Sequence, residues 1–383
     1  MAARVAIVGV GYEGFRPVVG DVSTRELMYL ASSKAYADAG IDPRKDVDSF
    51  ISCAEDLWEG WSISDEMVPD QLGGAQKPVC TVPADAITGL GHALMHVLSG
   101  VAEVVSVEAH SKAGDVLDKR AVENMALDPV TLRVPGASGD VLAGLEMGYF
   151  LEKTGFTRED CSRVVQRERL LSLSNPRASY GASLSLEEIS GAPPIALPLR
   201  THDRPGYAEA SIVLVVASER WVKKNRKEGA VFVDGLAWRS STPWFEGGDV
   251  GYARYASEAL KHALGQAGLR NLSSVDLLEV DDGYSYKLVQ HLLSLGFGKR
   301  EVAGLVSGGG GGPVLNPSGG SLGAGNLLEA TAAHRVLECV LQLRGRAGEN
   351  QLKRRRLARA LALSWRGNPT ATGAVALLSS GGT

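Results

Sequence analysis

The chain predicts an α/β fold made of two copies of one unit, and three observations carry that expectation. Apolar runs at residues 5–9, 48–53, 102–107 and 212–217 do not alternate with polar residues, so they read as strands buried on both faces. Helical patterns separate most of these runs, which implies parallel pairing with helices packed on the sheet faces. The order strand, helix, strand then returns in the second half, where Val231 stands 226 residues after Val5, as an internal duplication.

Taken in chain order, residues 5–9 form the first strand. Ser23-Thr-Arg-Glu26 has the Ser and Glu of a capping box and opens a helix that runs to about Ala39. Residues 48–53 form a strand, residues 85–98 a buried helix rich in Ala, Leu and Gly, and residues 102–107 the next strand. Residues 109–200 are mostly helical, with Pro- and Gly-containing loops, and read as a long insertion before strand 212–217 closes the first half. In the second half, residues 231–236 and 275–280 form strands around a helix at 251–267. A long helix at 325–343 and strands at 358–364 and 374–379 follow. The expected division is therefore an N-terminal half, 1–226, with an insertion at 109–200, and a C-terminal half, 227–383.

Composition narrows the function classes. The 383 residues are 44% hydrophobic and 22% charged, which suits two or three core-bearing units and excludes a disordered tail, a collagen or a disulfide mini-protein. With 40 Lys and Arg against 44 Asp and Glu, the net charge is -4, which does not point to nucleic acid or an anionic membrane as the main partner. No apolar stretch approaches the ~20 residues of a membrane span. The N-terminus shows no basic region, apolar core and cleavage site, so no secretory leader is expected. Cys53, Cys80, Cys161 and Cys339 form no CxxC or zinc pattern; no metal is expected, and the reduced cytoplasm is the expected location.

Most motifs reduce to structural readings. Gly9-Val-Gly-Tyr-Glu-Gly14 matches GxGxxG, but Pro17, Val18 and Val19 follow where a nucleotide-binding helix would start, so it reads as a glycine-rich turn. His92 and His96 share a helix face without the intervening Glu or third ligand of a zinc site, which leaves packing or surface roles. Lys353-Arg-Arg-Arg356 with Arg359 reads as a solvated basic face or a contact for a phosphate group. The richest segment is residues 307–326, where glycines allow positive φ and close backbone approach, and which feeds an apolar helix from Leu327. Such a loop offers free N–H groups to a polar or anionic ligand, although it lacks the GK[ST] ending of a P-loop.

Within that segment, Asn316-Pro-Ser-Gly-Gly-Ser-Leu-Gly-Ala-Gly-Asn326 resembles the NPSGG…GHP loop of the thiolase superfamily, in its sterol-carrier-protein-x and archaeal thiolase-like branch. Gln342-Leu-Arg-Gly-Arg-Ala-Gly348 resembles the QLRGEAG segment that follows it. Glu279-Val-Asp-Asp-Gly-Tyr284 stands where the family has its NEAF or HDAF box, and Thr81-Val-Pro-Ala-Asp-Ala-Ile-Thr-Gly89 where it has TV…CxSG. The resemblance covers essentially the whole chain. It implies two βαβαβαββ halves packed as a five-layer αβαβα sandwich, with a loop domain inserted in the first half. It also implies a coenzyme A thioester (acyl-CoA) as substrate, homodimers or tetramers and, in this branch, a small partner with a zinc ribbon and an OB fold.

The family's catalytic positions are altered. Its nucleophilic Cys, activated at a buried helix N-terminus, aligns with Ala86, which closes the acyl-enzyme route; Cys80 is the alternative thiol. Its GHP histidine aligns with Asn326, whose amide is no base but can donate to a thioester oxygen. The Asn or His of its NEAF or HDAF box aligns with Asp281, and its late CxG position with Ser364-Trp-Arg-Gly367. The resemblance therefore implies catalytic roles for Asp281, Asp282, Tyr284 and Asn326, and ligand contacts from Gly319, Gly320, Gly323 and Gly325. Three functions remain open. One is retro-aldol cleavage of a β-hydroxyacyl-CoA without an acyl-enzyme, with Tyr284, Asp281 or Asp282 as base and Asn326 as donor. The others are a catalytically silent thiolase-like subunit and a conventional acetyl-CoA C-acyltransferase.

Overall fold

Ser23 caps the first helix as its sequence pattern predicts. Its side chain accepts from the Glu26 amide and the Glu26 carboxylate returns to the Ser23 amide, while Gly40, in the left-handed region, ends the helix. The computed structural model describes residues 4–58, 62–242, 250–309, 312–353, 357–367 and 371–381. The basic run at 354–356 lies outside them.

The first half consists of β1 (Val5–Arg16), α1 (Thr24–Ala39), β2 (Ser49–Cys53), β3 (Val79–Val82), α2 (Ala86–Leu98) and β4 (Val104–Ser111), closed by β5 (Glu209–Ser218). Between β4 and β5 lies the inserted segment, whose main helices are α3 (Lys119–Met125), α4 (Gly139–Thr154) and α5 (Arg158–Leu171). The second half begins with β6 (Val231–Ser240), α6 (Arg254–Ala267), β7 (Leu277–Val280) and α7 (Ser285–Ser294). It ends with β8 (Val314–Leu315), α8 (Gly320–Ala324), α9 (Ala330–Leu343), β9 (Arg359–Arg366) and β10 (Thr372–Ser379).

Ten strands run in the order β8-β7-β9-β10-β6-β1-β5-β4-β2-β3. Read outward from the β1–β6 junction, each half has two antiparallel strands and then parallel neighbours, so the duplication appears as a repeated strand order. Pairing is mixed, not purely parallel as the separating helices suggested: β5 and β10 run antiparallel to their neighbours. The largest apolar cluster joins Ile87 and Leu90 of α2 and Val336 and Val340 of α9 to residues of both halves. Separate clusters gather α6 and α7 on one outer side and α1 on the other. Helices thus fill the middle layer and cover both outer faces of the two half-sheets, the five-layer α/β architecture expected. No helix among the described residues is long and apolar enough to cross a membrane.

Two readings of the sequence change here. Gly9 and Gly11 lie inside β1, not in a turn, because a Cβ there would sit 2.5 Å from the Ala35 carbonyl or 2.1 Å from the Ala31 carbonyl of α1. They permit close strand–helix packing. The helix expected over 325–343 starts at Ala330, since Gly325 (φ 108°) and Leu328 (φ 52°) hold non-helical backbone between α8 and α9.

Candidate active site

The N-terminus of α2 is already occupied. Asp85 caps it, accepting from the Thr88 amide at 2.9 Å and from the Ser364 hydroxyl at 2.8 Å, and burial pushes its pKa up. Ala86 follows, 1% exposed within the central cluster. A helix end that could activate a thiol therefore faces a methyl group. Cys80, on β3, is only partly buried, but burial and then the Asp65 charge raise its pKa, so it is no ready thiolate.

The glycine segment is held from below by buried charges. Asp282 accepts from the Ser321 amide at 2.6 Å and the Leu322 amide at 2.9 Å, which anchors the first turn of α8. Arg335 of α9, 1% exposed, reaches Asp282 at 3.0 Å, Asp281 at 3.3 Å and the Ser321 hydroxyl at 2.6 Å. Burial raises the Asp282 pKa against the lowering effect of Arg335. Glu279 bonds the Ser318 hydroxyl at 2.6 Å, and Asn316 exchanges two bonds with the Val280 backbone. The four glycines pack against protein. A Cβ at Gly319 or Gly323 would strike Ser172 Oγ at 1.9 or 1.5 Å, one at Gly320 the Asp282 carboxylate at 2.2 Å, and one at Gly325 the Ala208 methyl at 2.5 Å.

The segment leads to a cleft of about 680 Å³ lined by Tyr284, Asn326, Tyr207, Glu123, Trp58 and Arg366 among others. A larger cleft, about 810 Å³, lies around Arg4, Lys223, Phe232 and Arg344, away from every expected site residue. Tyr284, at the start of α7, stacks on Tyr286 with ring centroids 6.0 Å apart and donates to Asp140 Oδ1 at 3.1 Å. Asn326 Oδ1 accepts from the Leu328 amide at 3.0 Å, so its Nδ2 is left as a donor. Tyr207 donates to Glu123, and Arg204 lies 2.5 Å from Asp140 and 3.7 Å from Glu123. Glu55 and Arg366 form an ion pair on the cleft wall.

Of the expected residues, Tyr284 and Asn326 meet in this cleft. Asp281, Asp282 and the four glycines do not line it. The carboxylates are engaged with Arg335, and the glycines let the chain pass close to Ser172, Asp282 and Ala208. Sequence reading missed Tyr207, Glu123, Asp140 and Arg204, which come from the inserted segment and its return, where no periodicity marks them. His92 and His96 have packing roles, one stacked on Trp238 and the other bonded to Ser49. Among the described residues no group of three or more His, Cys, Asp or Glu is placed to hold a metal ion.

Residues 245–380 match a family model described as thiolase C-terminal domain-like. Over 356 residues the chain is 27% identical to an acetyl-CoA acetyltransferase of Methanocaldococcus jannaschii, spanning 89% of this chain and 90% of that protein. It is 28% identical over 374 residues to sterol carrier protein 2 of Bos taurus, spanning 91% of this chain and 68% of that protein. Among solved structures, an Ltp2-ChsH2(DUF35) aldolase superposes with a TM-score of 0.83 at 23% identity, covering 98% of each chain, which establishes a shared fold.

Proposed function

Because the chain is a thiolase-superfamily protein, we propose that it binds an acyl-CoA thioester and acts on the C–C bond beside the thioester carbonyl without an acyl-enzyme, by retro-aldol cleavage of a β-hydroxyacyl-CoA. The observation that carries the reading is the pairing of a nucleophile-free helix end at Ala86 with Tyr284, which lines the same cleft as Asn326 and is backed by the Asp140 carboxylate.

Tyr284 directs its own proton to Asp140, so the phenolic oxygen presents lone pairs to the cleft and accepts the proton of a substrate β-hydroxyl. The electron pair of the breaking C–C bond moves onto the thioester as an enolate, and Asn326 Nδ2 donates to that oxygen. Asp281 and Asp282 act at one remove, holding through Arg335 the segment that presents Asn326. The aldolase named among the structural neighbours supports this direction of chemistry, and the DUF35 in its name supports a partner protein; that the partner is a small zinc-ribbon and OB-fold protein is part of the proposal. A homodimer or tetramer is part of the same proposal.

One observation favours the silent-subunit reading. Among the described residues, Glu55, Asp56, Glu123 and Glu329 line the cleft against the guanidinium of Arg366, an unfriendly surround for a polyanionic substrate. Tyr284→Phe separates the two. It keeps the stack on Tyr286, so binding and fold should survive while cleavage falls by ~10²–10⁴-fold. Cleavage at the wild-type rate in this variant rejects Tyr284 as base. A wild-type assembly that binds acyl-CoA but cleaves no β-hydroxyacyl-CoA leaves the silent subunit as the better account.

A further inference from the structure

We propose that Tyr207 is the second proton-transfer phenol of this cleft and delivers a proton to the α-carbon of the enolate formed beside Asn326. The inference rests on the retro-aldol reading and extends it to a residue of the inserted segment's return.

Tyr207 and Asn326 are held together by backbone. They face each other across a parallel bridge, with the Asn326 amide donating to Gly206 at 2.7 Å and the Ala208 amide donating to Asn326 at 2.9 Å. Both side chains line the cleft that contains Tyr284. Trp58 packs on the Tyr207 ring at 5.7 Å and Arg204 lies over it at 5.6 Å. The hydroxyl donates to Glu123. Both phenols line the cleft and each has a carboxylate partner, Tyr284 with Asp140 behind it and Tyr207 with Glu123 on the cleft wall, and Arg204 faces both carboxylates. One phenol suffices to accept the hydroxyl proton; the product still needs a proton on carbon, and Tyr207 is the phenol fixed beside the enolate-binding amide. Burial and the Glu123 charge keep it protonated, the form a donor needs.

The step balances. The proton leaves the β-hydroxyl for the Tyr284 oxygen as the phenol's own proton passes to Asp140, the Cα–Cβ bond breaks, and its electron pair becomes the enolate. Tyr207 turns its O–H from Glu123 to the α-carbon and forms the new C–H bond, and Arg204 stands over the resulting phenolate ring. The proton held by Tyr284 and Asp140 returns to Tyr207 through water in the open cleft. Nothing is oxidised or reduced.

Deuterium exchange into the methyl group of acetyl-CoA in heavy water reads this half-reaction without C–C cleavage. The full chain, purified as it assembles, is expected to catalyse the exchange. Tyr207→Phe, which keeps the ring between Trp58 and Arg204, is expected to slow it ~10²–10⁴-fold with acetyl-CoA affinity retained. Glu123→Gln is expected to move the pH profile of exchange, which a purely structural role would leave in place. Exchange at the wild-type rate in Tyr207→Phe, with cleavage of β-hydroxyacyl-CoA still running, overturns the inference and leaves the proposed function standing. A wild-type protein with neither exchange nor cleavage overturns both.

Discussion

Replacing Gly320 by Ala distinguishes a glycine that touches ligand from one that touches protein. Gly320 sits at φ +57°, and an added Cβ would lie 2.2 Å from the Asp282 carboxylate that holds the Ser321 and Leu322 amides. The left-handed conformation costs an alanine ~1–2 kcal/mol. Displacing a buried carboxylate from a charge-assisted bond costs a further ~1.5–3 kcal/mol, so the expected loss is about 4 kcal/mol. At ~2.1 cal/mol/K per residue the entropy of unfolding of 383 residues is ~0.8 kcal/mol/K, which converts that loss to a fall of ~5 °C in Tm. Calorimetry of the purified variant measures it, with acyl-CoA affinity falling only as the folded fraction falls. An unchanged Tm combined with lost acyl-CoA binding would refute the packing argument and restore the glycines as ligand contacts.

Incubation with acetyl-CoA should leave the intact protein mass unchanged, because Ala86 offers no nucleophile and burial raises the Cys80 thiol; an acetylated Cys80 peptide would contradict this. Burial pushes Glu279 up to about 8, above an unfolded value of ~4.3. Its protonated form therefore favours folding at low pH, and that advantage is lost as pH rises through about 8. Glu279→Gln should flatten the decline of urea stability over that range, in part only, since Glu168 is raised in the same way; a wild-type slope in the variant counts against the buried carboxyl. Glu338 is the opposite case. Burial pushes it up, but His334 and Arg177 hold it down to about 2, so its contribution is present at neutral pH and is lost as pH falls towards 2. Glu338→Gln should lower stability at pH 7 by ~3 kcal/mol and by less at pH 3; an equal loss at both pH values would refute the ion-pair origin.

The legible parts of the chain were those with local signals. The Ser23–Glu26 box starts α1 where it was read, and the duplicated order of apolar runs returns as two mirrored half-sheets. Position 86 was legible too, because alanine at a helix start is a plain chemical fact. The glycine segment was legible as a place of close approach but not in what it approaches. Glycines permit close approach to anything, and the approach here is to Ser172, Asp282 and Ala208. Its neighbours Asp281 and Asp282 looked reactive because the sequence does not show Arg335, more than fifty positions away, lying across both. The cleft network was invisible for the same reason. Tyr207 meets Glu123 from 84 positions away and Tyr284 meets Asp140 from 144, through an insertion whose loops carry no period.

C–C cleavage without a covalent intermediate has two halves, bond breaking and an unmodified protein, and one experiment reads both. The purified assembly is incubated with a panel of β-hydroxyacyl-CoA thioesters, and the released carbonyl compound, the shortened acyl-CoA and the intact protein mass are followed in the same samples. Carbonyl compound and shortened acyl-CoA are expected in equal amounts, with the protein mass unchanged throughout. An acylated protein, or no carbonyl release from any chain length by an assembly that binds the thioesters, would contradict this.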